Sequence, residues 1–207
     1  MRITMMTLAL ATMVMGCGDD TTSTTTPGND LSVSTTGSTD MAAKGPGAAL
    51  KCESSGKDAF DTYGATAFVA VNKAIVANVG AEIQANGLTN LGPSFGKLGD
   101  KTLPATQDGA ATFEGKLAAF LVYAYGGPES ITYTDGVTYS GVQDMVAAHT
   151  GLGITDPQYQ YFIANIVVPA LVDSGVKAGQ GDGVNDVSSC FAPIVTSTAF
   201  EDEIIGH

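Results

Sequence analysis

The 207-residue chain contains two histidines and three cysteines, so its means for acid–base, nucleophilic or metal chemistry are few. His149 lies inside the apolar stretch "MVAAHTGLGIT" (145–155), and His207 is the last residue. A hydrolytic triad needs a base beside its nucleophile, and His149 is the only histidine in the body of the chain. No G-x-S-x-G, H-E-x-x-H or Walker-type sequence occurs. A zinc site wants three or four clustered His or Cys ligands, which the chain does not supply. "GQGDGVND" (179–186) is acidic, but its spacing does not fit an EF-hand loop; it reads as a Gly/Asp turn before a helix. Covalent c-type haem attachment is excluded too, because neither Cys52 nor Cys190 belongs to a C-x-x-C-H sequence. One histidine acting alone can hold a haem iron, since the porphyrin supplies four ligands itself. The alternative is an ordinary, half-exposed imidazole.

Iron ligation by His149 requires an apolar slot between two helices, with the ring delivered from one wall. Residues 59–85 place Phe60, Ala67, Phe68, Val71, Ile75, Val76 and Val79 at three- and four-residue spacings, a helical period with one wide apolar face. Gly64 and Gly80 are expected to mark breaks or ends. Residues 86–109, rich in Gly, Asn and Pro, read as a loop. The strongest helix covers "AATFEGKLAAFLVYAYGGP", ended by Gly126-Gly127-Pro128. "ESITYTDGVTYSG" suits an extended loop or a small hairpin. A short helix then ends at His149. Thr155 or Asp156 caps the next helix, with Pro157 in its first turn and a kink expected at Pro169. Pro193 interrupts a last helix. No internal repeat or βαβ alternation is visible, and the fold class expected is all-α.

The N-terminus has a different character. "MRITMMTLALATMVMG" (1–16) carries one arginine, an apolar run and a terminal small residue, the layout of a secretory signal. "VMGC" resembles a bacterial lipobox, which implies that Cys17 is acylated and anchors the chain to a membrane. Residues 17–51, rich in Thr, Ser, Gly and Asp, read as a flexible tether, because such a segment cannot offset its ordering entropy by burial. The folded domain is then expected over 52–207. An oxidising destination favours a disulfide between Cys52 and Cys190. The formal charge of −12, with only nine Lys and Arg, excludes a nucleic-acid partner.

Within that domain, "LAAFLVYAYGGP", then "MVAAHTGLGIT" and "FIANIVVPALVDSGV", is similar to the core of the truncated haemoglobins, group I in particular. The resemblance implies a truncated 2-on-2 globin-like sandwich of helices around haem b, here with long pre-E and E–F loops. The family's E helix typically ends in a hydrophobic-Gly-Gly-Pro turn, matched by Tyr125 to Pro128. Its proximal histidine typically follows a methionine by four residues and precedes a glycine-rich Ile-Thr tail. Met145, His149, Gly151 and Gly153–Thr155 fit that pattern.

Carried over residue by residue, the resemblance makes His149 the proximal iron ligand and turns Phe113, Leu117 and Leu121 into the distal pocket. Lys116 falls where a basic residue often pairs with a haem propionate; a solvated helix lysine is the alternative. Phe95 stands where an aromatic residue packs on the haem, and Met145 completes the cofactor-binding set. Phe120 suits the core. The family's B-helix tyrosine is replaced by Ile75 or Val76, and its polar E-helix partners by Phe113 and Leu117. An apolar distal side cannot stabilise the charge on bound oxygen, so discrimination shifts towards CO and NO. The segment between Pro128 and Gln143 is longer than usual and is expected to flank the haem edge as a flap.

The function implied is an exported, lipid-anchored protein of the cell envelope, facing the periplasm or cell surface, that binds O2, NO or CO reversibly. Nitric oxide dioxygenation would need bound oxygen and an unidentified redox partner, and the apolar pocket disfavours it. The alternative, from a different class, is a haem-free globin-like lipoprotein serving as an envelope or surface interaction module.

Overall fold

Asp58 starts the first long helix: its carboxylate accepts the Asp61 backbone N–H at 2.7 Å, satisfying one of the helix's orphan donors. The computed structural model describes residues 44–97, 109–181 and 183–207. The signal segment, Cys17 and residues 17–43 of the tether lie outside the described residues, as do 98–108. From the Asp58 cap, α1 runs over Ala59–Asn86. Gly64, at φ 75° and ψ 166°, breaks the helical backbone one turn in, and that combination is open essentially to glycine alone. Gly80, expected as a second break, is an ordinary helical residue, because the segment has no positive-φ requirement there. α1 is long and apolar enough to cross a membrane by length and composition; here it buries Phe68, Val69, Val71 and Ile75 as a core helix.

The segment expected as a loop after α1 contains a short helix, α2 (Pro93–Lys97). α3 covers Ala110–Ala124 and packs along α1. It ends in a Schellman motif: Gly126 N–H donates to Tyr123 O at 3.1 Å and Gly127 N–H to Val122 O at 2.8 Å. Strands β1 (Ser130–Thr132) and β2 (Thr138–Ser140) form an antiparallel hairpin in which Ile131 faces Tyr139. It packs on α3, with the Tyr139 ring lying where Gly115 has no side chain. After α4 (Met145–His149), Thr155 is the N-cap of α5 (Asp156–Phe162), and Gln158 accepts its backbone N–H at 3.0 Å.

Two prolines are absorbed without breaking their helices. At Pro169, where a kink is expected, a π turn, Ile163–Val167, leads into α6 (Val168–Asp173). Val168 N–H donates to Ile163 O, one residue further back than in an α-helix. A second π turn, Val187–Phe191, stands before Pro193 and α7 (Ala192–Val195), with Ala192 N–H donating to Val187 O. A proline ring clashes with the carbonyl four residues back, and the wider π ladder immediately upstream accommodates the ring. α8 (Thr198–Asp202) closes the element order. Among the described residues the fold is therefore mostly helical, with one small hairpin.

The expectation that the tether runs to residue 51 is corrected. A 3₁₀ turn, Pro46–Ala49, lies against the end of α3, where Gly45 and Gly47 are buried. A Cβ on Gly47 would meet Ala124 O at 2.4 Å, so only glycine permits that approach. Lys44 adds an ion pair to Asp58 at 2.9 Å. The core centres on an aromatic group: Tyr125 lies 4.8 Å from Phe191 and 5.8 Å from Phe68, ring centre to ring centre. Beside it, Cys52 and Cys190 form a disulfide across 138 residues of sequence.

The Gly64→Ala variant should lose about 1–3 kcal/mol in urea melts, since the cost is backbone strain and not a clash: nothing lies within 4 Å of the added methyl. Reducing Cys52–Cys190 should lower stability by roughly 5 kcal/mol, the chain-entropy value for a loop of this length, read from melts with and without dithiothreitol.

Candidate functional site

Five residues carry His149. Asp144 caps α4 by accepting Ala147 N–H at 2.9 Å, and the histidine occupies the last helical position. Its Nδ1 lies 2.7 Å from the Met145 carbonyl oxygen. A carbonyl only accepts, so Nδ1 carries the proton and donates it. In the neutral ring Nε2 then holds a lone pair, and it has no hydrogen-bond partner among the described residues. This is how metal-binding imidazoles are commonly held: one nitrogen oriented by a carbonyl, the other presented to the ion. Burial pushes the His149 pKa below its usual value and nearby His207 lowers it further, against the opposing pull of the Met145 hydrogen bond. The ring is thus neutral and able to donate a lone pair at neutral pH.

α3 supplies the opposite chemistry. Ala118, Val122 and Tyr125 face the core, and the hairpin covers Gly115 and Ala119. The hundred-degree step per residue puts Phe113, Leu117 and Phe120 on another side of the helix, away from α1. That side is apolar and partly covered: Phe113 is 38% exposed, while Leu117 and Phe120 are half-buried and pack against the core. Phe120 stacks on Phe200 of α8 at 5.9 Å. Residues 206 and 207, just after α8, hydrogen-bond to Gly153 and Ile154 beside His149. The C-terminal segment therefore touches both this face of α3 and the turn that carries the imidazole.

The remaining expected site residues divide. Met145 is half-buried and contributes its carbonyl. Phe95 is half-buried against Phe162 at 5.8 Å. Lys116 is exposed. Leu121, expected beside Leu117 in the pocket, is buried in the main core, because its angular position lies between the two faces of α3. Ile75 and Val76, expected in place of a distal hydroxyl donor, are buried and half-buried in α1.

Two features escaped the sequence reading. Asn72 is fully buried in α1, donating to Glu114 O at 3.1 Å while its Oδ1 has no partner; its place in the Phe68–Val71–Ile75 stripe was a signal available beforehand. Lys97 donates to Gly151 O and Leu152 O, a contact across 54 or 55 residues with no local signature.

A second cluster resembles a metal site by distance alone. Ligand atoms of Cys52, Asp186 and Cys190 lie within 4.8 Å of one another. The sulfurs are bonded to each other, so neither is a thiolate ligand. The Asp186 oxygens accept Ser54 N–H at 2.9 Å and the Tyr63 hydroxyl. Burial pushes the Asp186 pKa up, but these hydrogen bonds outweigh it and hold the carboxyl below its usual range. The cluster is a structural junction. The two best-formed cavities among the described residues are also elsewhere; the larger, about 20 Å³ and lined by Tyr125, Leu171 and Phe191, has room for about one water.

Comparison with known proteins adds no further constraint. No family model, curated protein or solved structure matches the chain.

The pH dependence of stability reads out His149 directly. Its folded pKa is depressed, so on acidification the unfolded chain takes up this proton first. Stability should be full above about pH 6.5 and fall as pH drops from there towards the lower folded value. His149→Gln should flatten that limb in urea melts between about pH 5.5 and 7, a window above the usual carboxylate range.

Proposed function

We propose that this chain is a haem protein, its iron held by Nε2 of His149, with a truncated 2-on-2 globin-like arrangement around haem b. The observation that carries the reading is the His149–Met145 hydrogen bond, which fixes the tautomer and leaves Nε2 without a partner among the described residues. The donor chemistry fits the group: a single neutral imidazole suffices when four equatorial ligands come with the porphyrin. The partly covered apolar face of Phe113, Leu117 and Phe120 is of the kind that a flat, hydrophobic cofactor covers. The family resemblance would assign Lys116, exposed on the same helix, to a propionate, and Phe95 and Met145 to the cofactor's edge.

Bound haem would supply reversible coordination of a diatomic gas. The chain's own contribution is orientation of one axial nitrogen and exclusion of water by apolar side chains. The resemblance puts Ile75 or Val76 where a hydroxyl donor would stand, which would favour CO and NO over O2, whereas Ile75 itself is buried in the main core on α1. Gas binding is therefore a better reading than catalysis, and nitric oxide dioxygenation would need a separate redox partner. We further propose export and membrane attachment through a lipid on Cys17, supported by the "VMGC" sequence.

One observation favours a second reading. No residue of α4 is buried, and Phe113 is open enough to meet another protein. A haem-free helical lipoprotein acting as an interaction module would use that same face.

Titration of the full chain with hemin separates the two. A Soret band with the signature of histidine ligation, lost in His149→Ala, is the expected result. Hemin at a hundredfold excess over its Kd should also stabilise the fold by roughly 2.7 kcal/mol. A chain that stays colourless and melts unchanged with hemin would overturn the haem reading in favour of the interaction module.

A further inference from the structure

α4 contributes little to its own placement. It is five residues long, none of them buried, and it makes no extensive contact with any other element. Between it and α5 lies the glycine-flanked turn 151–154, in which Leu152 alone is buried. That turn is gripped from two sides. On one, the Lys97 ammonium at the end of α2 donates to Gly151 O at 2.8 Å and to Leu152 O at 3.0 Å. On the other, Gly153 N–H donates to His207 O at 2.7 Å and Gly206 N–H donates to Ile154 O at 2.9 Å. Ile204, buried just upstream, anchors this second strand of the grip. The turn is joined to the histidine itself, since Leu152 N–H donates to His149 O at 3.1 Å.

We propose that Lys97 and the Gly206–His207 backbone form a two-sided clamp that positions His149, fixing where Nε2 points by holding the 151–154 turn. This deepens the haem reading and rests on it. Lys97 is suited to the task because an ammonium bonded to two carbonyls of one turn makes two charge-assisted contacts. The C-terminal strand acts through its main chain, so the identity of the side chain at 207 is secondary. Such second-layer partners of a metal ligand typically alter metal affinity when lost, although they never touch the ion. Lys97 and Gly206–His207 are accordingly positioning residues.

Four variants of the full chain test this: Lys97→Met, Lys97→Arg, deletion of residues 206–207, and His207→Gln. Two readouts are followed on material whose helical circular dichroism and melting curve show it to be folded. The first, independent of haem, is the hydrogen-exchange protection of the Leu152 amide, which bonds to His149 O. The second is the rate of hemin release to a high-affinity scavenger. In Lys97→Met and in the deletion, that amide should lose protection and release should quicken roughly tenfold. Lys97→Arg should keep both near the wild-type values, because a guanidinium also reaches two carbonyl oxygens. His207→Gln should leave both unchanged, as the carbonyl remains. Wild-type exchange and release in both Lys97→Met and the deletion would overturn the clamp. A wild-type chain that takes up no hemin would overturn the iron-ligand reading instead, and the Leu152 exchange rates would then decide the clamp alone.

Discussion

The arrangement depends on a close approach of three backbones at the Tyr125–Gly126–Gly127 turn. Phe60 N–H donates to Tyr125 O, and Gly45 N–H donates to Gly127 O. A Cβ on Gly126 would lie 2.9 Å from the Asp58 carboxyl carbon and 3.2 Å from Ala48 Cα, and one on Gly127 would strike Val122. Without side chains at these two positions, the start of α1, the end of α3 and the 3₁₀ turn of 46–49 share one corner. Asp58 serves that corner twice, capping α1 and pairing with Lys44. The aromatic group of Phe68, Tyr125 and Phe191 lies beneath it, and the Cys52–Cys190 bond ties in the distant C-terminal helices.

Pinning α3 at that corner has a consequence for its surface. One side is committed to α1 and the hairpin, which leaves Phe113, Leu117 and Phe120 with partial cover. α8 takes the C-terminal end of that side through Phe200, and the chain then crosses to the 151–154 turn. The α1–α3 core and the segment carrying His149 therefore meet through α2, α8 and the tail. The disulfide and the aromatic group lie at the Gly126–Gly127 corner, whereas no residue of α4 is buried.

The prolines carry a related lesson. Pro169 and Pro193 read locally as a kink and an interruption, and each is preceded by a π turn in a helix that continues. The helices tolerate the missing donor because the residues around it are buried: Ile166, Val167, Ala170 and Leu171 in one case, Cys190 and Phe191 in the other. Burial outweighs the local preference to end.

By itself the amino-acid sequence determined whatever depends on neighbours within about one helical turn. The long helices α1 and α3, the Schellman ending of α3 and the Asp144 cap are of this kind. So is the hydrogen bond from His149 to Met145, because four residues is the spacing of a helical turn. Gly64 and Gly80, by contrast, carry the same local signal and only the first breaks the helix. Tertiary structure alone decided which side of α3 is buried, why Leu121 belongs to the core and not beside Leu117, and that 44–50 is packed against the fold. It also decided that Lys97 and residues 206–207 grip the turn after His149. The physical reason is range: these outcomes rest on contacts between residues tens of positions apart, for which hydrophobic period and capping chemistry carry no information.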